Sequence, residues 1–453
     1  MSLRPAMAGA TAALTLLLPV MVPARQVPVT IAYTAELRAA VDAPDLARLV
    51  ARVERMREEE RNLLVLDGGG WSAGAAEAAV EPALMPGIMT LLRPDVMVPG
   101  VPELAAGFTG LRNSEKQPFP WTVANLQTPD AAPGRPSTPP FRILPVDGIR
   151  VLVAGLTVDQ PALWAPPEVF KGVKTSTARE ALREWIPGVR AAEAEMRILV
   201  VHDSAAPGGP LAELAREFPD FDLVLGARRD DAVRPATDGG VMLAQPDARA
   251  RSVVLASLVY DTVRRAVIRR EVDIEPVREF FPADPKAAGL ITSARGRTAS
   301  RLDARIEPPT LAGAAEALRT RLNLDACVLA PRPAKGDPAT LRGLHAHLPL
   351  GQRLALVSLP VSALKDALAQ SEGGPLLLAG LSLEGGGSPV LRLADGSAPI
   401  ARHRLRVGIE ESLLASRGGE CRVFRDIAAD VSARLEWSAP LHEILAPPKG
   451  GKP

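Results

Sequence analysis

Histidine is nearly missing from the front of this chain. Of five histidines in 453 residues, only His202 falls within the first 344. Chemistry that relies on grouped imidazoles has a single one to work with there. Cysteine is scarcer still. Cys327 and Cys421 are too few and too far apart to read as a metal site, although an oxidising compartment would let them pair. Aromatic residues form only 4% of the chain, with two tyrosines. Charge of one sign is lacking too: 53 Lys and Arg against 52 Asp and Glu leave a net +1. That balance removes the electrostatic reason to expect a nucleic-acid polymer or an anionic membrane as partner. No Gly-x-Ser-x-Gly nucleophile elbow, no His-Glu-x-x-His zinc motif and no phosphate-binding P-loop is expected.

What is present describes a globular protein. A 47% hydrophobic and 23% charged composition buries sizeable cores, and the length calls for two or three domains. Arg4 precedes a short apolar stretch, Ala12 to Val20, followed by Met21-Val22-Pro23-Ala24. Val22 and Ala24 suit the small-residue positions of a secretory cleavage site, so residues 1–24 are expected to be a signal peptide. Crossing a bilayer takes about 20 apolar residues, and every later apolar run is soon broken by charge, so no transmembrane segment is expected in the mature chain. The expectation is an exported protein, periplasmic or extracellular.

Along the chain, strand-like runs alternate with helical periodicity. Val27–Tyr33, Asn62–Leu66, Asp95–Val98, Thr122–Leu126, Phe141–Pro145, Arg150–Leu156, Arg197–His202, Asp222–Gly226 and Ser252–Asp261 read as strands. Ala35–Arg61, Met85–Leu92 and Thr177–Ala194 read as helical, the last kinked or split at Pro187-Gly188. This alternation predicts an α/β (α+β) domain over 25–272, its sheet covered on both sides and its functional loops at the carboxyl ends of the strands. A proline-rich connector is expected at 273–285. A second, smaller α/β domain should fill 286–445, with a helix at Thr310–Leu322, strands at Ala326–Leu329 and Leu354–Leu359, and a helix at Ser362–Gln370. A Pro/Gly/Lys-rich tail, 446–453, is expected to be disordered. His345 and His347 are expected as exposed loop residues before Pro349.

Several segments resemble, in order, the bacterial 5′-nucleotidase and UDP-sugar hydrolase family. The family's His-Thr-Asn-Asp-Leu-His-Gly is similar to Tyr33-Thr34-Ala35-Glu36-Leu37-Arg38-Ala39, and its Leu-Asp-Ala-Gly-Asp to Leu66-Asp67-Gly68-Gly69-Gly70. Its Gly-Asn-His-Glu-Phe-Asp resembles Gly100-Val101-Pro102-Glu103-Leu104-Ala105, its Ser-His resembles Val201-His202, and its Gly-Gly-His-x-His resembles Gly226-Ala227-Arg228-Arg229-Asp230. In the second domain, the Pro-Phe-x-Asn motif resembles Pro349-Leu350-Gly351-Gln352. The Gly-Gly-Asp-Gly-aromatic loop resembles Gly418-Gly419-Glu420-Cys421-Arg422, with Phe424 just beyond. The resemblance covers nearly the whole mature chain. It implies an αββα metallophosphoesterase-type sandwich followed by a substrate-binding-type domain.

The same resemblance implies lost chemistry. A two-metal hydrolase clamps phosphoryl oxygens between cations roughly 3.5–4 Å apart, and the bridging carboxylate would stand at Gly70. Val101 and Pro102 replace a carbonyl ligand and the catalytic imidazole. Arg38 and Arg228 stand where metal-proximal histidines would be, and guanidinium has no lone pair to give. Glu36, Asp67, Glu103, His202 and Asp230 retain donor atoms. No catalytic residue, bound metal or cofactor is therefore expected, and the ten positions are vestigial. Gln352, Gly418, Gly419, Arg422 and Phe424 would be remnants of a base site. Each survivor has an ordinary role to weigh: Asp67 holding a glycine turn, Glu103 capping a loop, His202 packed and hydrogen-bonded. Arg38 and Arg228 would pair with Glu36 and Asp230, or bind an anion.

The leading expectation is an exported pseudoenzyme serving as a binding or structural subunit of a cell-envelope assembly, with unidentified protein partners. Two others remain: a hydrolase with a rebuilt mononuclear site of Glu36, Asp67, His202 and Asp230, and an anion- or nucleotide-binding module.

Overall fold

A computed structural model describes residues 25–41, 45–72, 76–81, 83–105, 119–127, 138–159, 173–206, 208–227, 231–238, 240–277, 281–305, 310–331, 337–348, 353–369, 376–384, 390–400, 403–410 and 434–440. The proposed signal peptide, the 446–453 tail, Arg228, Arg229, Asp230, Gln352, Gly418, Gly419, Cys421, Arg422 and Phe424 lie outside them.

The first domain is built on two sheets stacked face to face. One has β1 (Gln26–Thr34), β2 (Leu63–Asp67), β3 (Val96–Met97), β12 (Ser252–Asp261) and β13 (Ala266–Pro276), in the order β13-β12-β1-β2-β3. The other has β5 (Phe141–Val146), β6 (Ile149–Leu156), β8 (Met196–Val201), β9 (Leu223–Leu225), β10 (Val233–Asp238) and β11 (Val241–Gln245), in the order β10-β11-β9-β8-β6-β5. A small pair, β4 (Leu126–Gln127) with β7 (Lys174–Thr175), sits apart. Side chains alternate faces along a strand, so Val27, Val29, Ile31 and Tyr33 of β1 meet Val151, Val153, Ile198 and Val200 of the other sheet in the central layer. The opposite faces need cover as well, because each is equally apolar.

Helices supply that cover. α1 (Asp45–Glu59), α3 (Leu84–Leu92) and α7 (Pro285–Leu302) lie on the first sheet, where Leu46, Leu49, Val53, Ile88, Met89 and Ile291 join one core. α5 (Ala178–Ala191) and α6 (Pro210–Glu217) cover the second sheet through Ala181, Leu182, Leu211 and Ala215. The result is the αββα sandwich, each fully buried Leu, Ile or Val contributing about 1.5–3 kcal/mol. Two short helices, α2 (Ala76–Val80) and α4 (Val101–Ala105), punctuate the loops after β2 and β3.

The second domain carries a five-stranded sheet of β14 (Ala326–Leu329), β15 (Arg353–Pro360), β16 (Leu377–Ala379), β19 (Arg404–Glu410) and β20 (Arg434–Pro440), ordered β16-β14-β19-β15-β20. A hairpin, β17 (Leu381–Glu384) with β18 (Val390–Leu393), adjoins it. One face packs on α10 (Val361–Ala369) through Leu364 and Leu368. The other packs on α8 (Leu311–Arg321) and α9 (Leu341–His347) through Leu318 and Leu344. Cys327 is buried on β14 and has no disulfide partner among the described residues. Across the domains, Arg342 of α9 reaches Glu77 of α2 at 2.9 Å and Asp303 at 2.7 Å. No described helix is long and apolar enough to cross a membrane.

Several elements depart from the pattern read in the sequence. Ala35–Arg61 is helical only from Asp45; Leu37 and Val41 are buried from an irregular loop, so their helical spacing is coincidental. The Thr122–Leu126 run has only its last residue in a strand, because Asn125 spends its side chain on Thr157 and Val158. α5 runs unbroken through Pro187, which faces solvent, where water can serve the carbonyl that a proline leaves without its partner. His345 and His347 are half-buried on α9, not in a loop. The Thr340 hydroxyl accepts from the Gly343 amide and starts that helix. The connector expected at 273–285 begins inside β13, which continues to Pro276.

Candidate functional site at the strand tips

The carboxyl ends of β1, β2, β3 and β8 converge, and the glycine-bearing turns after β2 and β3 let them come close. Gly69 and Gly70 have φ of +80° and +75°, a conformation costly for other residues. Opposite them, the loop after β1 holds three non-glycine residues in the left-handed region: Glu36 (52°), Arg38 (47°) and Ala39 (45°). Their amides explain why this is tolerated. Glu36 N donates to Gly69 O at 2.8 Å, Arg38 N to Gly70 O at 2.9 Å and Ala39 N to Trp71 O at 3.1 Å. Such strain of order 1–3 kcal/mol per residue persists only where surroundings over-determine it, and it clusters at functional sites.

Glu36, Arg38, His202, Asp67 and Glu103 meet here, and each has a partner within the protein. Glu36 Oε2 accepts from Arg38 Nε at 2.6 Å, and Glu36 Oε1 lies 3.3 Å from His202 Nε2. His202 is buried at the tip of β8 and donates from Nδ1 to the Gly68 carbonyl at 2.6 Å. A carbonyl can only accept, so Nδ1 carries a proton, and Nε2 faces the Glu36 carboxylate. Asp67 accepts from the Thr34 hydroxyl at 2.7 Å and from Gly69 N at 2.9 Å. Burial pushes its carboxyl up to about 7, against the pull of those two donors; Glu103 and Glu36 add to the rise.

Glu103 is the most heavily engaged. One oxygen accepts from Gly70 N and Gly100 N, both at 2.8 Å. The other accepts from Trp71 N (3.1 Å), Ser72 N (2.9 Å) and the Ser72 hydroxyl (2.7 Å). It pins the loop after β2 to the loop after β3.

Gly70 decides whether paired cations would fit. A Cβ there would fall 2.8 Å from the Glu36 carboxyl carbon. The volume that a bridging carboxylate at 70 would use is filled by the Glu36 side chain itself. Among the described residues, no group of three His, Cys, Asp or Glu side chains is placed to hold a metal ion. The donor set does not fit a dinuclear centre, and no catalytic step is routed through one. Pro102 and the backbone of Val101 lie in α4.

Three further residues belong to this site. Tyr33 donates its hydroxyl to the Gly226 carbonyl at 2.9 Å, tying the two sheets together across the pocket; burial, with Asp67 and Glu36 nearby, holds its phenol well above the usual range. Its signal in the sequence is that it stands where the resemblance expects a histidine. Thr34 acts on Asp67 as above. Contrary to the expectation of no Gly-x-Ser-x-Gly elbow, Ser72 lies in Gly70-Trp71-Ser72-Ala73-Gly74, which has that spacing. Its hydroxyl is spent on Glu103, and its φ is not in the left-handed region, so Ser72 serves to hold the loop and not as a nucleophile.

No protein-family model matches the chain. Two curated proteins called UshA align with part of it. "Silent protein UshA(0)" of Salmonella typhimurium is 27% identical over 200 residues, 41% of this chain and 36% of that protein. "Protein UshA" of Yersinia enterocolitica is 27% identical over 192 residues, 39% and 34% respectively. The aligned region thus spans about a third of those relatives' length. Solved structures extend the likeness to the whole fold. The NAD nucleotidase NadN of Haemophilus influenzae superposes with a TM-score of 0.67 at 14% identity, over 93% of this chain and 97% of that one. The chain is distantly similar to the 5′-nucleotidase/UshA family. Its two-domain α/β fold also matches a 5′-nucleotidase precursor of Thermus thermophilus (TM-score 0.63, 16% identity, 92% and 96% covered). A sulfate thiohydrolase, SoxB, of the same organism gives 0.61 at 15% identity over 92% and 93%. The fold is thus shared by proteins named for different substrates, and the strand-tip residues must carry any argument about this chain.

Proposed function

We propose that this chain is a member of the 5′-nucleotidase/UshA family without hydrolytic activity, exported to the periplasm or beyond. In this reading it serves as a binding or structural subunit of a cell-envelope assembly. The observation that carries the first part is the Glu36 carboxylate, anchored by Arg38 and facing His202 from the space beside Gly70. Donors that an active relative would turn toward metal are here turned toward each other. The sandwich and its partner domain have buried cores without that donor set. The export part rests on the residues 1–24 leader pattern.

The test is turnover of 5′-AMP, a UDP-sugar and a generic phosphodiester by purified protein in added Mn²⁺. The expected result is no activity above a sample chelated with EDTA. Activity abolished by His202→Ala, with stoichiometric metal, would establish a rebuilt hydrolytic centre instead. Export is checked by fractionation and N-terminal sequencing of the native protein, expected to begin near Arg25. Cross-linking in envelope extracts should then capture the partner.

A further inference from the structure

The turn between β12 and β13 and the start of β13, Thr262-Val263-Arg264-Arg265-Ala266-Val267-Ile268-Arg269-Arg270, hold four arginines and no acid. The chain's net charge of +1 conceals this local excess. Two of the four are spent within the protein: Arg269 pairs with Glu271 and Arg270 with Asp222, both at 2.5 Å. Arg264 and Arg265 stand exposed at the turn, Arg265 with φ of 51°. Asp261 is beside them, but its carboxylate accepts from the Val263 and Arg264 amides, at 2.9 and 2.8 Å, and so shapes the turn. Apolar side chains that no core uses lie among these charges. Val263 is 62% exposed at the tip. Ile268 is 37% exposed and is the extra residue of a bulge, where the pairing steps from Val267–Tyr260 to Arg269–Val259. Turn geometry calls for Gly, Asn or Asp at such a tip, so it does not account for a valine followed by two arginines.

The place of this turn supplies the second observation. Arg25 N donates to the Thr262 hydroxyl at 3.1 Å, and Thr262 N donates to the Arg25 carbonyl at 3.0 Å. Residues 1–24 therefore join the fold at the hairpin tip, at the end of β1 remote from the strand-tip site. Only residues 21–24 separate the apolar stretch ending at Val20 from Arg25. A bilayer that holds this stretch during export has the tip within roughly 18 Å, the reach of an extended chain of that length.

We propose that the β12–β13 turn is a membrane-docking tip that rests on an anionic phospholipid surface, Arg264 and Arg265 meeting lipid phosphates while Val263, with Ile268 behind it, enters the headgroup boundary. An exposed apolar side chain and a basic cluster are two weak signals that together hold a protein reversibly at a bilayer. Guanidinium suits the phosphate because its planar fork matches the oxygens. The docking is independent of the loss of hydrolysis, and shares with the proposed function only the export that brings the tip to a bilayer.

The experiment is co-sedimentation of the full chain with vesicles of phosphatidylcholine alone and of phosphatidylcholine mixed with phosphatidylglycerol. Wild type is expected to prefer the mixed vesicles, with binding that falls as salt rises. Arg264→Gln combined with Arg265→Asn, the asparagine suiting the left-handed backbone, should weaken that binding roughly thirtyfold. Val263→Asp should weaken it about fivefold. These side chains are exposed, so both variants should keep the wild-type urea midpoint. A leader left on the protein acts equally in every variant and shows on phosphatidylcholine alone, so the comparison stands. No preference for the mixed vesicles overturns the proposal, as does wild-type binding by both variants. Val263→Asp without effect, together with competition by heparin, also overturns it, because the turn would then be a site for soluble polyanions. Turnover and fractionation, which test the proposed function, do not enter this assay, so the failures are distinguishable.

Discussion

Removing the Glu103 carboxylate should be among the most damaging single changes in the first domain, although it touches no apolar core. Glu103→Ala would leave the amides of Gly70, Trp71, Ser72 and Gly100, and the Ser72 hydroxyl, without their acceptor. Each unsatisfied buried donor costs about 1–3 kcal/mol, and water entering the vacated space would relieve some of them. Removing a residue that is 3% exposed also takes its packing away. The net expectation is a loss of about 4 kcal/mol in urea unfolding, near the upper end for point changes. Glu103→Gln is the sharper test because it keeps the shape. Its amide oxygen can serve only one of the two donor groups, and its NH₂ must then point at two or three N–H or O–H groups. It should cost roughly 2–3 kcal/mol. If Glu103→Gln unfolds within about 0.5 kcal/mol of wild type, the donors are not held as described, and the account of this loop is wrong.

Asp67 predicts a pH dependence. Its carboxyl is raised from 3.8 to about 7 in the folded protein, so between these values the folded state holds a proton that the unfolded state has released. Its contribution is therefore fully present below about pH 4 and is lost as pH rises through 7, on the order of 4 kcal/mol in all. Comparing wild type with Asp67→Asn across pH 4 to 8 should show that component disappear in the variant; parallel curves would refute it. Restoring the family's carboxylate with Gly70→Asp should not restore activity. It should destabilise the fold by about 3 kcal/mol, through a positive φ and a second carboxylate against Glu36; phosphodiester turnover by this variant would contradict the geometry. Tyr33→Phe removes a buried hydroxyl bond between the sheets and should cost about 1–2 kcal/mol in urea unfolding. Burial pushes the Cys327 thiol up to about 12, so it should resist thiol reagents until the protein unfolds, with fast labelling of Cys327 in the folded state as the contrary result.

The strands were legible where buried runs are short and bounded: Ala326–Leu329 coincides with β14, and Val27–Tyr33 lies inside β1. Strands with exposed or mixed faces were not. β13 reads AVIRREVDIEP, charged on its open side, and its pairing with β12 comes from the neighbour and not from its own pattern. Helix α9 escaped notice because its start depends on one threonine hydroxyl and its seven residues make less than two full turns of apolar period. At the site, Asp67 in a glycine turn could be argued from residue type alone. That Glu36 would fold back into the space beside Gly70 could not, since it depends on three left-handed residues and on amide bonds to a loop some thirty residues away. The Gly-x-Ser-x-Gly spacing around Ser72 was legible and was overlooked; only its bond to Glu103, close in the folded chain alone, was beyond the sequence.

The most direct measurement is a crystal structure of the full chain soaked in MnCl₂, with anomalous scattering recorded for manganese. The account predicts no anomalous peak between the strand tips, and Arg38 still within hydrogen-bond distance of Glu36. Two manganese peaks a few ångströms apart beside Gly70, with Arg38 swung out to solvent, would contradict it.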